Sequence, residues 1–528
     1  MLTALRRGLP GLLVLVVLAL SWANAARFSA WVANPLAHAD SWYFVDAFLE
    51  PWDAGELSWR EFFVKRGQDD HAQPLHRLAL LWNAETQSLD FAFEARIGLA
   101  GLSACLLLLL GLSLLHLRAA GVRLRALSVP LALSLALLPA AAFSLNSHEI
   151  YYWSLVAFFY VSLLPALGLM AWVCWQSIAP ARPAEGAPAK APQRPAVHWL
   201  QLMLSWLLTV LGCIVVQVAL DGAGMLVVAA LLAVLFASVL LGSSWRRCAG
   251  LGMALLIGLV AYRWTYAALF PDIGAGAGGG AWAAVQVLLQ RWDEAVQWLL
   301  LPAGSALVHP THLQIWFPDG GAIALQWFSG SIGLVLHAAF WISWWRQRAH
   351  VPLARFAAAL MLLSYGMVLG ILLSRVPQFG TDYLLQMRYI AFYQLATIAM
   401  ILQMLVVLSR RTDTGVKARR SQVLVFVLAF AFFGLQYALT ERAWQHGVHI
   451  RQYSLSMARN LLCLADHPGL QTPQCVPGLG ACDYPMDVRE RLLGLLEHRQ
   501  LNLFAPGFLE THDMQSAAGA TTCLLPSP

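Results

Sequence analysis

Apolar residues in this chain fall into runs of about 20, the length that crosses a bilayer as a helix, separated by mostly short polar connections. The runs at 8–26, 97–117, 126–144, 151–176, 199–219, 224–243, 249–270, 321–344, 354–374, 387–409 and 421–440 predict an all-α polytopic membrane protein of about 11 transmembrane helices. The second and third runs are leucine- and alanine-rich with no polar stripe, so they are expected to touch lipid or other helices and carry no chemistry. Two long connections, 27–95 and 271–320, interrupt the transmembrane region 1–440, and a polar tail, 441–528, follows it. Within the second connection, Trp282, Val285, Leu288, Leu289, Trp292, Val296 and Leu299 recur at helical spacing, which predicts one amphipathic helix over 281–301 lying flat on the membrane surface. The preceding DIGAGAGGG reads as a hinge, because no lysine and serine follow it as they do in a phosphate-binding loop.

Basic residues orient the stack. Arg6 and Arg7, the group Arg118, Arg123 and Arg125, then Arg182, Lys190 and Arg194, Arg246 and Arg247, Arg346, Arg348 and Arg355, and Arg410 to Arg420 occupy alternate connections, as the positive-inside rule requires of the cytoplasmic side. An odd number of crossings then places the N-terminus inside and the tail outside. The Pro/Ala-rich stretch 177–198 becomes an extended cytoplasmic linker. The first run has the basic start, apolar centre and ANA of a cleavable signal peptide. A retained helix is the expectation, because the loop 27–95 needs a membrane anchor on both sides.

At 59% hydrophobic and 12% charged residues, the composition excludes a soluble domain. The net charge of +6 is scattered without a block of like charge, which argues against a nucleic-acid partner. Many of the 22 tryptophans sit at run ends, where interfacial anchoring accounts for them. Cys105, Cys174, Cys213 and Cys248 lie in or beside apolar runs, whereas Cys463, Cys475, Cys482 and Cys523 lie in the tail. An even set in a Pro/Gly-rich external segment points to disulfides in an oxidising compartment, and the spacing does not suit zinc.

The candidate chemistry sits mainly in 27–95. Asp40, Asp46, Glu50 and Asp53 are interleaved with Trp42, Tyr43, Phe44 and Trp52. A carboxylate desolvated among aromatics can act as a general base, and aromatic faces also stack on sugar rings. An amphipathic interfacial helix with acids facing water is the plainer reading. Further on, Asp69, Asp70 and His71 precede Pro74, His76 and Arg77 and could bind a divalent cation, form an acid/base pair, or cap a helix starting at Pro74. The turn LNSHEIYYWS sets His148 and Glu149 at a helix start, where the dipole alone favours an acid. Arg263 lies inside the seventh run, Arg375 ends the ninth and Arg388 opens the tenth. If they converge near the outer boundary, they form a phosphate site through forked hydrogen bonds, with snorkelling as the alternative.

With these residues in view, the chain resembles the GT-C superfamily of multi-spanning glycosyltransferases in its long acidic first loop, short polar second turn and late arginines. QDDHAQPLHRL looks like the acid–histidine loop segment of uncharacterised bacterial members, with Asp70 and His71 on its acid and histidine, although Ala72 stands where those members carry arginine. NSHEIYYWSL is similar to their second-loop motif, and Met387 to Tyr389 resembles their Arg-Tyr segment. The resemblance implies a sugar donor on a polyprenyl phosphate, with its phosphate held by some of Arg263, Arg375 and Arg388. Tyr389 would lie beside it, Asp40 and then Asp70 would serve as base, and His71, His148 and Glu149 would orient acceptor or phosphate. It further implies a lipid, glycan or protein acceptor outside a bacterial inner membrane, with a divalent cation optional. A polyprenyl-linked transporter or flippase and an O-antigen ligase or polymerase are the competing readings. The tail is too short for a large oligosaccharyltransferase domain.

Overall fold

The computed structural model describes residues 2–64, 73–123, 127–178, 195–271, 280–347, 351–410, 416–467, 469, 475–476 and 478–518. Among them, helix is the only regular structure. The principal helices are α1 (Leu2–Val32), α2 (Pro74–Gln87), α3 (Phe91–Ala119), α4 (Val129–Ala142), α5 (Phe159–Gln176), α6 (Pro195–Leu220), α7 (Gly222–Leu240) and α8 (Trp245–Leu269). They continue with α9 (Gly280–Gln290), α10 (Ala295–Ser305), α11 (Pro310–Trp316), α12 (Gly321–Arg346), α13 (Pro352–Ser374), α14 (Ile390–Ser409), α15 (Val416–Asp466) and α16 (Met486–His498).

Ten helices among the described residues are long and apolar enough to cross a membrane, which makes this a multi-pass membrane protein. The remaining apolar run is α4, with 14 residues, about 21 Å long, and it is walled in by α1, α14 and α15. At the centre lies α13. From Leu353 to Leu363 nearly every side chain is sealed, because Ala354, Ala357, Ala358 and Ala359 let α14 and α7 approach closely. Phe236, Phe328 and Phe430 project outward, as expected of side chains that meet lipid.

A second core stands apart from the bundle. Leu36, Trp42, Phe48 and Leu80 of the first loop pack with Met457, Leu461, Leu492 and Leu503 of the tail. The link is α15, whose 51 residues extend about 75 Å, more than twice the hydrocarbon thickness, so it carries the tail up against the loop. Four residues of the tail fasten it to the loop. Asn502 donates to the carbonyls of Pro35 (2.9 Å) and Leu89 (2.7 Å) and accepts from the Ala37 N–H. Arg491 pairs with Asp46 and Glu50, and Arg499 with Asp53 (3.0 Å) and Glu85 (2.9 Å). Gly480, at φ +79°, lies so close to Ala39 and Trp42 that a Cβ there would meet the Ala39 carbonyl.

The expected single helix over 281–301 is two helices, α9 and α10. Arg291 turns back to pair with Glu294 across a short 3-10 turn, which ends α9, and α10 then packs against α12. In the tail, Cys475 and Cys482 are joined by a disulfide and Cys463 is also disulfide-bonded, while the four cysteines of the bundle are free. The buried Arg489 donates to the carbonyls of Ala481, Cys482 and Tyr484 and so fixes the disulfide loop.

Candidate functional site

The polar turn between α4 and α5 lies at the junction of bundle and outer unit, on the side that carries the first loop. Asn146 fastens it: its amide donates to the Ser305 carbonyl (2.8 Å) and its oxygen accepts from the His309 N–H (2.8 Å). Ser147 donates to the Met387 carbonyl (2.8 Å), which brings the start of α14 alongside. Gly98 of α3 faces Ala157 so closely that a Cβ could not be added, so the chain after the turn is pressed against α3.

This packing gathers several of the residues singled out in the sequence. Arg388 is ringed by Trp153, Tyr383 and Tyr389, with its guanidinium 5.6, 5.7 and 5.4 Å from the ring centroids, and it donates to the Tyr383 hydroxyl at 2.6 Å. The Glu149 carboxylate accepts the Arg388 backbone N–H. Burial raises the Glu149 carboxyl above its usual range, and the Arg388 charge opposes that rise. His148 is sealed, with its ring 4.7 Å from that of His446 and 6.2 Å from that of His312. Burial and then the neighbouring histidines hold it well below the usual imidazole range. His38 packs against Trp153 at 5.7 Å, and Arg375 lies within electrostatic reach of Tyr389.

Among the described residues, six atoms in this one place are buried and lack a hydrogen-bond partner: His38 Nε2, His148 Nδ1, Glu149 Oε2, Trp153 Nε1, Ser154 Oγ and Arg388 Nε. Each such atom costs about 1–3 kcal/mol when left unpaired. Donors, acceptors, an aromatic-walled cation and a desolvated carboxyl together can receive a polar, partly anionic ligand. Among the described residues, no group of three or more His, Cys, Asp or Glu side chains is placed to hold a metal ion.

Asp40 lies two residues from His38 and lines an adjoining cavity of about 180 Å³ with Tyr43, Phe48, Glu61, His76 and Arg77. Leu155, next but one to Trp153, forms part of the same wall, so the cavity and Arg388 flank one short segment. Asp40 follows Ala39, which sits at φ 47° and donates its N–H to the Gly478 carbonyl at 3.1 Å. Asp46, Glu50 and Asp53 point the other way, into the ion pairs with the tail. Arg263 is carried by a different group of helices from Arg388. Its helix, α8, packs on α6 and α7, and Arg263 stands beside Tyr262 and Tyr266. The Tyr266 hydroxyl in turn donates to the Phe63 carbonyl near the cavity. Asp69, Asp70 and His71 lie outside the described residues.

Sequence reasoning missed Glu94, His309, His312 and His446, and read His38 only as part of the stretch HADSWYFVD. The HPTH stretch that opens α11 and the QHGVH stretch within α15 were the available signals, but their meeting with His148 depends on the packing of separate elements. Comparison with protein-family models, with curated proteins and with solved structures finds no match for this chain.

Proposed function

We propose that this protein is a membrane glycosyltransferase that moves a sugar from a polyprenyl-phosphate carrier to an acceptor on the outer side of a bacterial inner membrane. The observation that carries the reading is Arg388, a cation caged by three aromatic rings beside the protonatable carboxyl of Glu149, at the mouth of the bundle where a lipid-borne phosphate arrives. The donor phosphate binds Arg388, with Arg375 and Tyr389 alongside, while His148 and Glu149 contact its sugar. The acceptor occupies the neighbouring cavity, where Asp40 accepts a hydrogen bond from its hydroxyls. Negative charge builds on the phosphate as the glycosidic bond breaks, so a fixed guanidinium lowers the barrier by binding the transition state more tightly than the ground state.

The alternating basic connections and the disulfides of the tail support an N-terminus inside and a tail outside, with a lipid, glycan or protein as acceptor. Reporter fusions after residues 420 and 450 test the orientation: opposite sides are expected, with 450 outside. For the activity, the full chain in nanodiscs is given undecaprenyl-phosphate-linked hexoses and pentoses with envelope extracts as acceptor. New glycosidic product is expected, and lipid movement without product would instead identify a transporter.

A further inference from the structure

Beside the Arg388 site, the fold holds a buried acid–imidazole pair, Glu94 and His76. Glu94, in the first turn of α3, is 0% exposed. Its Oε1 accepts from Asn83 Nδ2 at 2.9 Å, and its Oε2 lies 3.2 Å from His76 Nε2. Among the described residues, no arginine or lysine pairs with it. The ring of Phe158 packs 4.9 Å from the imidazole, so His76 is held both along its edge and on its face.

A carboxylate only accepts, so Nε2 carries the imidazole proton and Nδ1 keeps its lone pair. Among the described residues Nδ1 has no hydrogen-bond partner, and it is not sealed from solvent. His76 lines the cavity with Asp40, Tyr43, Phe48 and Arg77, and Nδ1 is its ring nitrogen not turned to Glu94. Aromatic walls suit the apolar face of a saccharide, and the polar groups opposite suit its hydroxyls.

We infer that His76 is the proton acceptor for a saccharide hydroxyl bound in this cavity, fixed in its working tautomer and orientation by Glu94 and Asn83. The inference rests on the transferase reading. In the step, the acceptor O–H bond breaks and its proton passes to Nδ1, while the oxygen electron pair forms the bond to the anomeric carbon. The bond from that carbon to the phosphate oxygen breaks, and its electron pair leaves on the phosphate. His76 becomes an imidazolium faced by Glu94 and returns the proton to solvent through the cavity. His76 is thus a catalytic residue, Glu94 a positioning residue, and Asp40 a binding group.

The test uses the full chain in nanodiscs, the undecaprenyl-phosphate sugars as donors, and two readouts. One is glycosyl transfer across pH. The other is the nitrogen NMR signature of His76, assigned by difference from His76→Gln. The expected wild-type tautomer is Nε2–H, lost in Glu94→Gln. His76→Gln is expected to lower kcat by about 10²–10⁴ with little change in KM. Glu94→Gln is expected to lower kcat by a smaller factor, partly restored by Glu94→Asp, whereas Asp40→Asn chiefly raises KM. An Nδ1–H tautomer in the wild type overturns the inference whatever the reaction. Transfer that is unchanged in a folded His76→Gln variant overturns it and leaves the transferase reading intact. Absence of transfer in the wild type with the Nε2–H tautomer present removes the transferase reading, and the role of His76 with it.

Discussion

Three histidines outside the membrane spans make stability depend on pH in a direction that can be worked out. His38, His309 and His312 are each held to about 4, from 6.5, and for all three burial is the leading cause. Each uses one ring nitrogen as a donor in its neutral form, to the carbonyls of Leu36, Leu385 and Asn146 respectively. The folded state therefore keeps them neutral as pH falls, while the unfolded chain takes up protons below 6.5. Stability is fully present above that value and is lost progressively down to about pH 4. Between pH 7.5 and 5.5 each contributes a loss of about 1.3 kcal/mol, or about 4 kcal/mol for the three. His148 acts in the same sense. The measurement is the midpoint of denaturant-induced unfolding of the full chain in detergent at both pH values. The triple variant H38Q/H309Q/H312Q, which keeps an amide donor at each position, is expected to lose most of the dependence. Equal midpoints for the wild type at both pH values would refute the reasoning, as would a triple variant that is as pH-sensitive as the wild type.

Two further outcomes concern the joint between loop and tail. Asn502→Ala removes three hydrogen bonds that tie the tail to Pro35, Ala37 and Leu89, and is expected to loosen the outer unit by about 2–4 kcal/mol. Faster amide exchange in peptides from 33–64 and 73–90 checks this, with the bundle unchanged. Ala39→Val places a β-branched residue at φ 47° and is expected to cost about 1–2 kcal/mol and to weaken acceptor binding, whereas Ala39→Gly is tolerated. A valine variant that melts and binds like the wild type would show that the left-handed turn before Asp40 does not matter.

The membrane-spanning elements were legible because a crossing helix is specified locally, by length and hydropathy. Even α4, too short to span comfortably, announced itself as an apolar run and is accommodated only because its neighbours enclose it. Arg388, His148 and Glu149 were legible for a related reason: charge and imidazole beside apolar runs are costly and stand out. The outer unit was not legible. Its core joins Trp42 to Leu492 across most of the chain, and the acids at 46, 50 and 53 gave no sign that their partners were Arg491 and Arg499. Hydropathy gives the depth of Arg263 but not the direction its helix faces, so its neighbours Tyr262 and Tyr266 and the packing of α8 on α6 and α7 were not legible. Glu94 passed for an ordinary first-turn acid, since only packing shows that it is sealed behind His76.

The most direct measurement is sugar transfer by the purified chain in nanodiscs, from undecaprenyl-phosphate-linked sugars, compared with a folded Arg388→Gln variant. The expected result is a glycosylated product from the wild type and a loss of at least about 100-fold in kcat/KM in the variant, as for removal of a single fixed transition-state donor. A variant that transfers sugar as fast as the wild type would contradict the assignment of Arg388 to the donor phosphate, and a wild type that forms no glycosidic bond would contradict the transferase itself.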